Sequence, residues 1–136
     1  MKTIVEVKNL YKSFYGALAL EGMNLTIKEG EVRCLIGENG CGKSTLIKVI
    51  SGFYPYDSGT LTINGKVYPK ISTSESIAEG IQVIYQDFSL FSNMTIAENI
   101  MMYSTVAGRK IKINWKEIKK NAQSILNRVG FDIDPE

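Results

Sequence analysis

This chain of 136 residues lacks the sequence features of membrane-spanning, secreted and nucleic-acid-binding proteins. No apolar run approaches the roughly 18 residues of a transmembrane helix, and the segment after Met1 alternates like a strand rather than resembling a signal peptide. Its 16 basic and 14 acidic residues are scattered and give a formal net charge of only +2. Such a weak charge does not favour nucleic acid or an anionic membrane surface. We therefore expect a cytoplasmic protein of about one domain that binds no nucleic acid.

Cysteine is also scarce. The two cysteines, Cys34 and Cys41, have a spacing that matches neither a metal site nor a redox-active pair. Cys34 falls within Val32 to Ile36, an apolar run that predicts a buried strand. We therefore expect Cys34 to be buried and both thiols to be reduced.

The most informative segment is the run from Gly37 to Ser44, which contains the complete phosphate-binding pattern G-x-x-x-x-G-K-[ST]. It lies between the predicted strand and a predicted helix over Ser44 to Ser51, as a P-loop requires. Glycines allow backbone N–H groups to surround an anion, and the positive end of the helix favours negative charge. The residues expected to line the phosphates are Gly37, Glu38, Asn39, Gly40, Cys41, Gly42, Lys43, Ser44 and Thr45.

Three side chains at the end of this loop have separate expected roles. Lys43 is expected to reach the β- and γ-phosphates, which makes it a candidate catalytic residue. Ser44 offers a hydroxyl ligand to Mg²⁺, and Thr45 offers one to the α-phosphate. The pattern therefore predicts a protein that binds a nucleoside triphosphate. The alternative is a glycine-rich turn that only connects a strand to a helix, and the surrounding strand and helix patterns disfavour it.

Antiparallel strands are predicted on both sides of the P-loop. Alternating apolar and polar residues predict strands over Thr3 to Asn9 and over Met23 to Lys28. The segment from Gly59 to Tyr68 predicts a hairpin, because Asn64-Gly65 suits a type I′ turn. A short helix over Ser74 to Glu79 is expected to end at a glycine.

The remaining segments predict one more strand and two helices. Apolar and β-branched residues over Ile81 to Tyr85 predict a second buried strand. Thr95-x-x-Glu98 predicts the start of a helix over Ile96 to about Met102, and Asn114-x-x-Glu117 predicts the start of another over Trp115 to Val129. Apolar residues recur at helical spacing in the last helix, so we expect Trp115 to pack in a core.

Four stretches together resemble the ATP-binding subunits of ABC transporters, especially the N-terminal nucleotide-binding half of ribose/galactose-type sugar importers. These stretches are Ile36 to Thr45, Ser51 to Thr60, Val83 to Asp87 and Met94 to Ile100. The resemblance covers essentially the whole chain. It implies an α/β fold with an ABC-type P-loop NTPase core and an N-terminal antiparallel β subdomain over residues 1–87. It also implies that residues 88–136 form the start of a helical subdomain that is incomplete in this chain.

The resemblance also implies functional residues outside the P-loop. Phe14 matches the aromatic residue that stacks on adenine in this family. Two alternatives stay open: the neighbouring Tyr15 has this role, or Phe14 is only an aromatic residue of the core. Gln86 matches the family's glutamine that contacts Mg²⁺ and the attacking water, so it is a candidate catalytic and metal-binding residue. The segment from Asp87 to Ile100 matches the surface on which a transmembrane permease subunit docks.

Partners and location follow from the same resemblance. It implies permease subunits, a second nucleotide-binding domain and, indirectly, a periplasmic or extracellular sugar-binding protein. The protein is then expected to be cytoplasmic and held peripherally on the cytoplasmic face of the cell membrane by the permease. The implied cofactors are ATP and Mg²⁺, and the implied function is to couple ATP binding and hydrolysis to sugar import.

Several parts of the family's hydrolytic site do not occur in this sequence. We find no Walker B aspartate followed by glutamate, no LSGGQ-type signature and no histidine. We therefore expect the chain to be either the N-terminal fragment of a longer ATPase or a natural truncation, and we expect it not to hydrolyse ATP by itself. Two alternatives stay open at this point: a nucleotide-binding module without turnover, and a soluble ABC protein that does not serve transport. The weak net charge disfavours a ribosome- or DNA-acting form of the latter.

Overall fold

The computed structural model describes residues 1–84, 90–107 and 114–135, with side chains for all of these except 103–107. The chain divides into two compact units, Met1–Ile84 and Tyr85–Glu136. The elements of the first unit are β1 (Thr3–Phe14), β2 (Ala17–Lys28), α1 (Lys43–Ile50), β3 (Ser58–Ile63), β4 (Lys66–Val67) and α2 (Thr73–Ala78). The helices of the second unit are α3 (Ile96–Ala107) and α4 (Trp115–Arg128).

The four strands of the first unit form one antiparallel sheet in the order β2-β1-β3-β4. Strands β1 and β2 are longer than the sequence predicts, because their pairing continues to Phe14 and Ala17. The two strands are joined by Tyr15 and Gly16, whose φ angles are 49° and 85°. Positive φ at both positions is what a two-residue type I′ turn requires. The long hairpin therefore depends on a turn that contains tyrosine instead of the usual asparagine or aspartate.

A single buried core joins the sheet to α1. Alternation within β1 buries Val5 and Val7, and helical spacing within α1 buries Leu46 and Val49. Full burial of one such side chain favours folding by about 1.5–3 kcal/mol. The buried members of this core are Val5, Val7, Leu10, Leu20, Leu46, Val49, Ile50, Leu61, Ile63, Tyr68 and Ile71.

Local sequence signals around β3, β4 and α2 correspond to the observed structure. The hairpin between β3 and β4 turns at Asn64 and Gly65, whose φ angles are 51° and 83°, as predicted. Helix α2 begins with a capping box that the sequence analysis missed. The Ser72 N–H donates to the Glu75 carboxylate at 2.9 Å, and the Glu75 N–H donates to the Ser72 hydroxyl at 3.3 Å. The helix ends at Ala78, two residues before Gly80.

The two predicted buried strands, Val32 to Ile36 and Ile81 to Tyr85, are wrong where the structure describes them. Residues 32–36 and 81–84 have no regular secondary structure, and residue 85 lies outside the described residues. Cys34, expected to be buried, is exposed. None of the described residues pairs with either segment in the sheet. A strand needs a neighbouring strand to which it can hydrogen-bond. Apolar composition alone therefore does not make a segment a strand.

Helix α3 of the second unit begins where its capping box predicts. The Thr95 N–H donates to the Glu98 carboxylate at 2.7 Å, and the Glu98 N–H donates to the Thr95 hydroxyl at 3.2 Å. The helix continues to Ala107, five residues beyond the expected end at Met102. Among the described residues, no helix combines the length and apolarity needed to cross a membrane.

Helix α4 has the predicted cap but not the predicted packing. The Glu117 N–H donates to the Asn114 side chain at 3.4 Å, and the helix ends at Arg128. The prediction that Trp115 lies in a core is wrong, because 52% of its surface is exposed. The buried positions of this helix are Ala122 and Leu126. Helical spacing correctly identified one face, but only part of that face is covered.

Candidate functional site

The P-loop takes a conformation that requires glycine. Gly40 and Gly42 have φ angles of +85° and +90°. A Cβ atom on Gly42 would also lie 2.4 Å from the carbonyl oxygen of Ala19 and 2.8 Å from a methyl carbon of Leu20. A larger residue would therefore be strained and would push the loop away from β2. Gly42 thus holds the end of the P-loop directly against β2.

The ammonium group of Lys43 lies over the P-loop. Its Nζ donates to the carbonyl oxygens of Gly37 and Glu38, both at 2.7 Å, and lies 3.6 Å from Cys41 Sγ. Carbonyl oxygens are neutral, so these contacts orient the ammonium without neutralising its charge. A polyphosphate bound in the loop would replace them with stronger, charge-assisted hydrogen bonds.

Helix α1 begins at the end of the loop with no capping side chain. Gly42 is its N-cap residue, and no acidic residue lies in its first turn. The first N–H groups of a helix have no intrahelical acceptor, and the helix dipole favours an anion beside them. Ser44, which is exposed, and Thr45, which is half-buried, lie in this first turn. Two hydroxyl groups are therefore present at an end of the helix that suits phosphate.

A metal ion at this end would need ligands from the nucleotide. Across the described residues, no group of three or more histidine, cysteine, aspartate or glutamate side chains could hold a metal ion. Mg²⁺ commonly binds through one or two protein ligands together with substrate phosphates. The hydroxyl of Ser44 and a bound triphosphate fit that donor set.

The tip of the β1–β2 hairpin carries the two aromatic candidates, Phe14 and Tyr15. This hairpin contacts the P-loop through Ala19, three residues after the turn. Phe14 is half-buried, and its ring packs edge to face on Tyr54, with the ring centroids 5.0 Å apart. Tyr15 is fully exposed. The hairpin that carries Phe14 therefore contacts the end of the P-loop, and Phe14, unlike Tyr15, packs on a neighbouring aromatic ring.

Asp57 contacts β1 of the same hairpin through hydrogen bonds that the sequence did not predict. Its carboxylate accepts hydrogen bonds from Lys12 Nζ at 2.9 Å, from the Ser13 N–H at 2.6 Å and from the Ser13 hydroxyl at 2.8 Å. The Asp57 N–H donates to the carbonyl oxygen of Tyr11 at 2.9 Å. The hydrogen bond from Lys12, followed by those from Ser13, lowers the pKa of Asp57 to about 2. The carboxylate is therefore ionised at neutral pH.

The predicted permease-docking segment, Asp87 to Ile100, is described from residue 90 onward, so Gln86 and Asp87 lie outside the described residues. Asn99 organises the described part. Its Oδ1 accepts from the Phe91 N–H at 2.9 Å, and its Nδ2 donates to the carbonyl oxygen of Phe91 at 3.1 Å. The exposed apolar side chains of this segment are Leu90, Phe91, Met94 and Ile96.

This combination of P-loop and antiparallel sheet was compared with known protein families. The family model described as ABC transporter matches residues 20–135. This chain belongs to the ABC transporter family. The match includes the P-loop and the segment containing Gln86, and it begins after Phe14.

Curated relatives of this ABC chain are similar over nearly its whole length. It is 41% identical over 135 residues to the xylose import ATP-binding protein XylG of Geobacillus kaustophilus (strain HTA426), covering 98% of this chain and 27% of the relative. It is 39% identical over 133 residues to the ribose import ATP-binding protein RbsA of the same organism, covering 97% and 27%. The chain therefore spans about a quarter of the length of these curated relatives.

Solved ABC structures confirm the predicted fold class. An ATP-binding cassette of an ABC transporter in its ADP conformation matches with a TM-score of 0.79 and 27% identity, covering 100% of this chain and 57% of that chain. A nucleotide-free ATP-binding cassette matches with a TM-score of 0.75 and 29% identity, covering 92% and 53%. The antiparallel sheet and helices of this chain thus form part of an ABC-type cassette.

Proposed function

We propose that this chain is the N-terminal ATP-binding part of a sugar import ATPase and that it binds Mg-ATP at Gly37 to Thr45. The observation that carries the proposal is the position of the Lys43 ammonium, 2.7 Å from two carbonyl oxygens of the P-loop. This cation and the uncapped N-terminus of α1 supply two attractions for the same polyphosphate.

Each residue of the loop has a definite task in this proposal. The backbone N–H groups from Gly37 to Gly42 surround the phosphates, and Lys43 contacts the β- and γ-phosphates. Ser44 binds Mg²⁺ and Thr45 binds the α-phosphate. Phe14 contacts the adenine ring, and its place on the hairpin that touches the P-loop through Ala19 supports this role.

The wider function rests on the family and on the relatives' names. In the intact transporter, Gln86 contacts Mg²⁺ and the attacking water, and a second nucleotide-binding domain completes the site. The exposed apolar residues between 90 and 96 contribute to the surface on which permease subunits dock at the cytoplasmic face of the membrane. A sugar-binding protein outside the membrane delivers the substrate to those subunits. Sugar import is supported by the names of the xylose and ribose import relatives.

Calorimetric titration with Mg-ATP tests the proposed site. The Lys43→Ala variant should lose most of its ATP affinity, because it lacks the ammonium at the phosphates while the buried core is unchanged. Lys70→Ala is the matched control, since it removes the same charge from an exposed position of the same unit. Equal ATP affinity in the wild type and Lys43→Ala would reject the P-loop as the binding site.

Phosphate release distinguishes binding from turnover. We expect the 136-residue chain to bind Mg-ATP without hydrolysis above background, because no Walker B carboxylate pair is present to orient the water. Asp87 is the nearest carboxylate in sequence to Gln86 and is the candidate substitute. Turnover that is present in the wild type and absent in Lys43→Ala would show that this chain assembles a working site.

A further inference from the structure

Four side chains form a continuous line of contacts from Asp57 through Lys12 and Phe14 to Tyr54. The Asp57 carboxylate lies 2.9 Å from Lys12 Nζ. That ammonium lies 5.2 Å from the centroid of the Phe14 ring, within the range of a cation–π contact. The Phe14 ring packs on Tyr54 at 5.0 Å between centroids. The Phe14 ring therefore contacts both a cation and a second aromatic ring.

The position of Lys12 depends on Asp57. Lys12 has only 9% of its surface exposed, which is unusual for a lysine. A buried ammonium is costly unless it is paired, and the carboxylate of Asp57 supplies that pairing. The same carboxylate accepts two hydrogen bonds from Ser13, the residue directly before Phe14. Asp57 thus fixes the residues on the N-terminal side of the Phe14 ring.

Helix α1 connects this aromatic region to the phosphate-binding loop. The P-loop precedes the helix, and the segment that carries Tyr54 and Asp57 follows it. The N–H groups of Phe53 and Tyr54 donate to the carbonyl oxygen of Lys48, at 2.8 and 3.2 Å, and attach this segment to the end of α1. An eight-residue helix is about 12 Å long and rigid. The P-loop therefore adjoins one end of a rigid helix, and the segment that contacts the Phe14 ring is attached to the other end. This arrangement fixes the distance between the ring and the loop.

We propose that Asp57 is a positioning residue for the base of the bound nucleotide, acting through Lys12 and Ser13 on Phe14. This inference rests on the proposed function, in which Phe14 contacts adenine. Asp57 does not touch the nucleotide itself. It holds the ring in place before the nucleotide arrives, which reduces the cost of ordering the ring when the base binds.

The inference is tested by comparing a ligand that has a base with one that does not. Calorimetric affinities for Mg-ATP and for Mg-tripolyphosphate are measured on the intact chain. Phe14→Ala should weaken ATP binding about 5- to 150-fold, the range expected when a stacked base is lost. Asp57→Ala should weaken it about tenfold, because the ring is retained but no longer held in place. Neither variant should change the tripolyphosphate affinity by more than about twofold.

Two further variants and a control make this test specific. Asp57→Asn and Lys12→Met remove one charge each with little change of shape and should show the same selective loss of ATP affinity. Glu79→Ala is the matched control, because the Glu79 carboxylate accepts hydrogen bonds from Tyr68 and Asn64 in the same unit without contacting Lys12, Ser13 or Phe14. It should leave both affinities unchanged.

The double variant Phe14→Ala/Asp57→Ala should bind ATP no more weakly than Phe14→Ala alone, since Asp57 acts through the ring. Additive losses, or equal losses for ATP and tripolyphosphate in the Asp57 variants, would overturn the positioning role. So would unchanged ATP affinity in every Asp57 and Lys12 variant while Phe14→Ala loses affinity. Failure of the wild type to bind tripolyphosphate would instead reject the proposed P-loop function, and the inference with it.

Discussion

Two groups of apolar segments in the first unit have similar composition but different structures. Strands β1 and β3 bury Val7 and Ile63 to 1% exposure each. The segment from 32 to 36 leaves Val32 and Ile36 92% and 93% exposed. All four residues are β-branched and suit a strand. Composition therefore does not separate the two groups.

Backbone pairing does separate them. Strand β1 pairs with β2 on one side and with β3 on the other, and its buried side chains share one core with those of α1. Among the described residues, none pairs with residues 32–36 in the sheet. An apolar pattern thus indicates what a segment is able to bury, while its place in a sheet and the elements packed on that sheet decide whether burial occurs.

Replacing an isoleucine by alanine in each of the two groups should give the largest difference in stability. Ile63→Ala should lower the free energy of unfolding by about 2–5 kcal/mol, because it leaves a cavity in the buried core. Ile36→Ala should change it by no more than about 0.5 kcal/mol, because that side chain is already in solvent. Denaturant unfolding of both variants measures the pair. Similar losses would mean that residues 32–36 are packed in solution.

Substitutions of Gly59 in β3 and of Gly65 in the turn after it should have a smaller effect on stability. Gly59 has a φ of +106°, and a Cβ there would lie 2.4 Å from the Asn9 carbonyl oxygen of β1. Gly59→Ala should therefore lower the free energy of unfolding by about 2–4 kcal/mol. Gly65→Ala should cost about 1 kcal/mol, because that position is strained by its φ of +83° but has open space. Equal unfolding midpoints for the two variants would contradict the close approach of β1 and β3.

Acid titration gives the smallest effect of the three. The pKa of Asp57 is lowered from 3.8 to about 2 in the folded chain. Its contribution to stability is therefore complete above about pH 4 and is lost as the pH falls towards about 2. The difference in unfolding free energy between the wild type and Asp57→Asn should shrink across that interval, as measured by denaturant unfolding at several pH values. A difference independent of pH would mean that the contacts of Asp57 with Lys12 and Ser13 do not form in solution.

Local chemistry was the part of the fold that the sequence predicted best. The Asn64-Gly65 turn and the Thr95–Glu98 capping box depend on residues within four positions of each other, and both form as predicted. Ser72 and Glu75 show the same capping pattern and would have placed the start of α2 correctly. Signals of this kind need no knowledge of the tertiary structure.

Features that depend on distant parts of the chain were not predictable in the same way. The contacts of Asp57 with Lys12 and Ser13 join residues 45 and 44 positions apart, and no local pattern connects them. The helical spacing around Trp115 identified an apolar face but gave no information about what covers it. The P-loop was recognisable because its pattern is local. The contacts of Asp57 with Lys12 and Ser13 were not recognisable, because they join distant parts of the chain.

Alkylation of the two cysteines tests the proposed nucleotide site most directly. Cys41 lies within the P-loop, with its Sγ 3.6 Å from Lys43 Nζ, and Cys34 is exposed outside the loop. At a Mg-ATP concentration about ten times Kd, alkylation of Cys41 should slow about tenfold, because bound nucleotide covers it. Cys34 should react at an unchanged rate and serves as the internal control. Mass spectrometry that finds the Cys41 rate unaffected by saturating Mg-ATP, or both rates slowed equally, would contradict nucleotide binding in this loop.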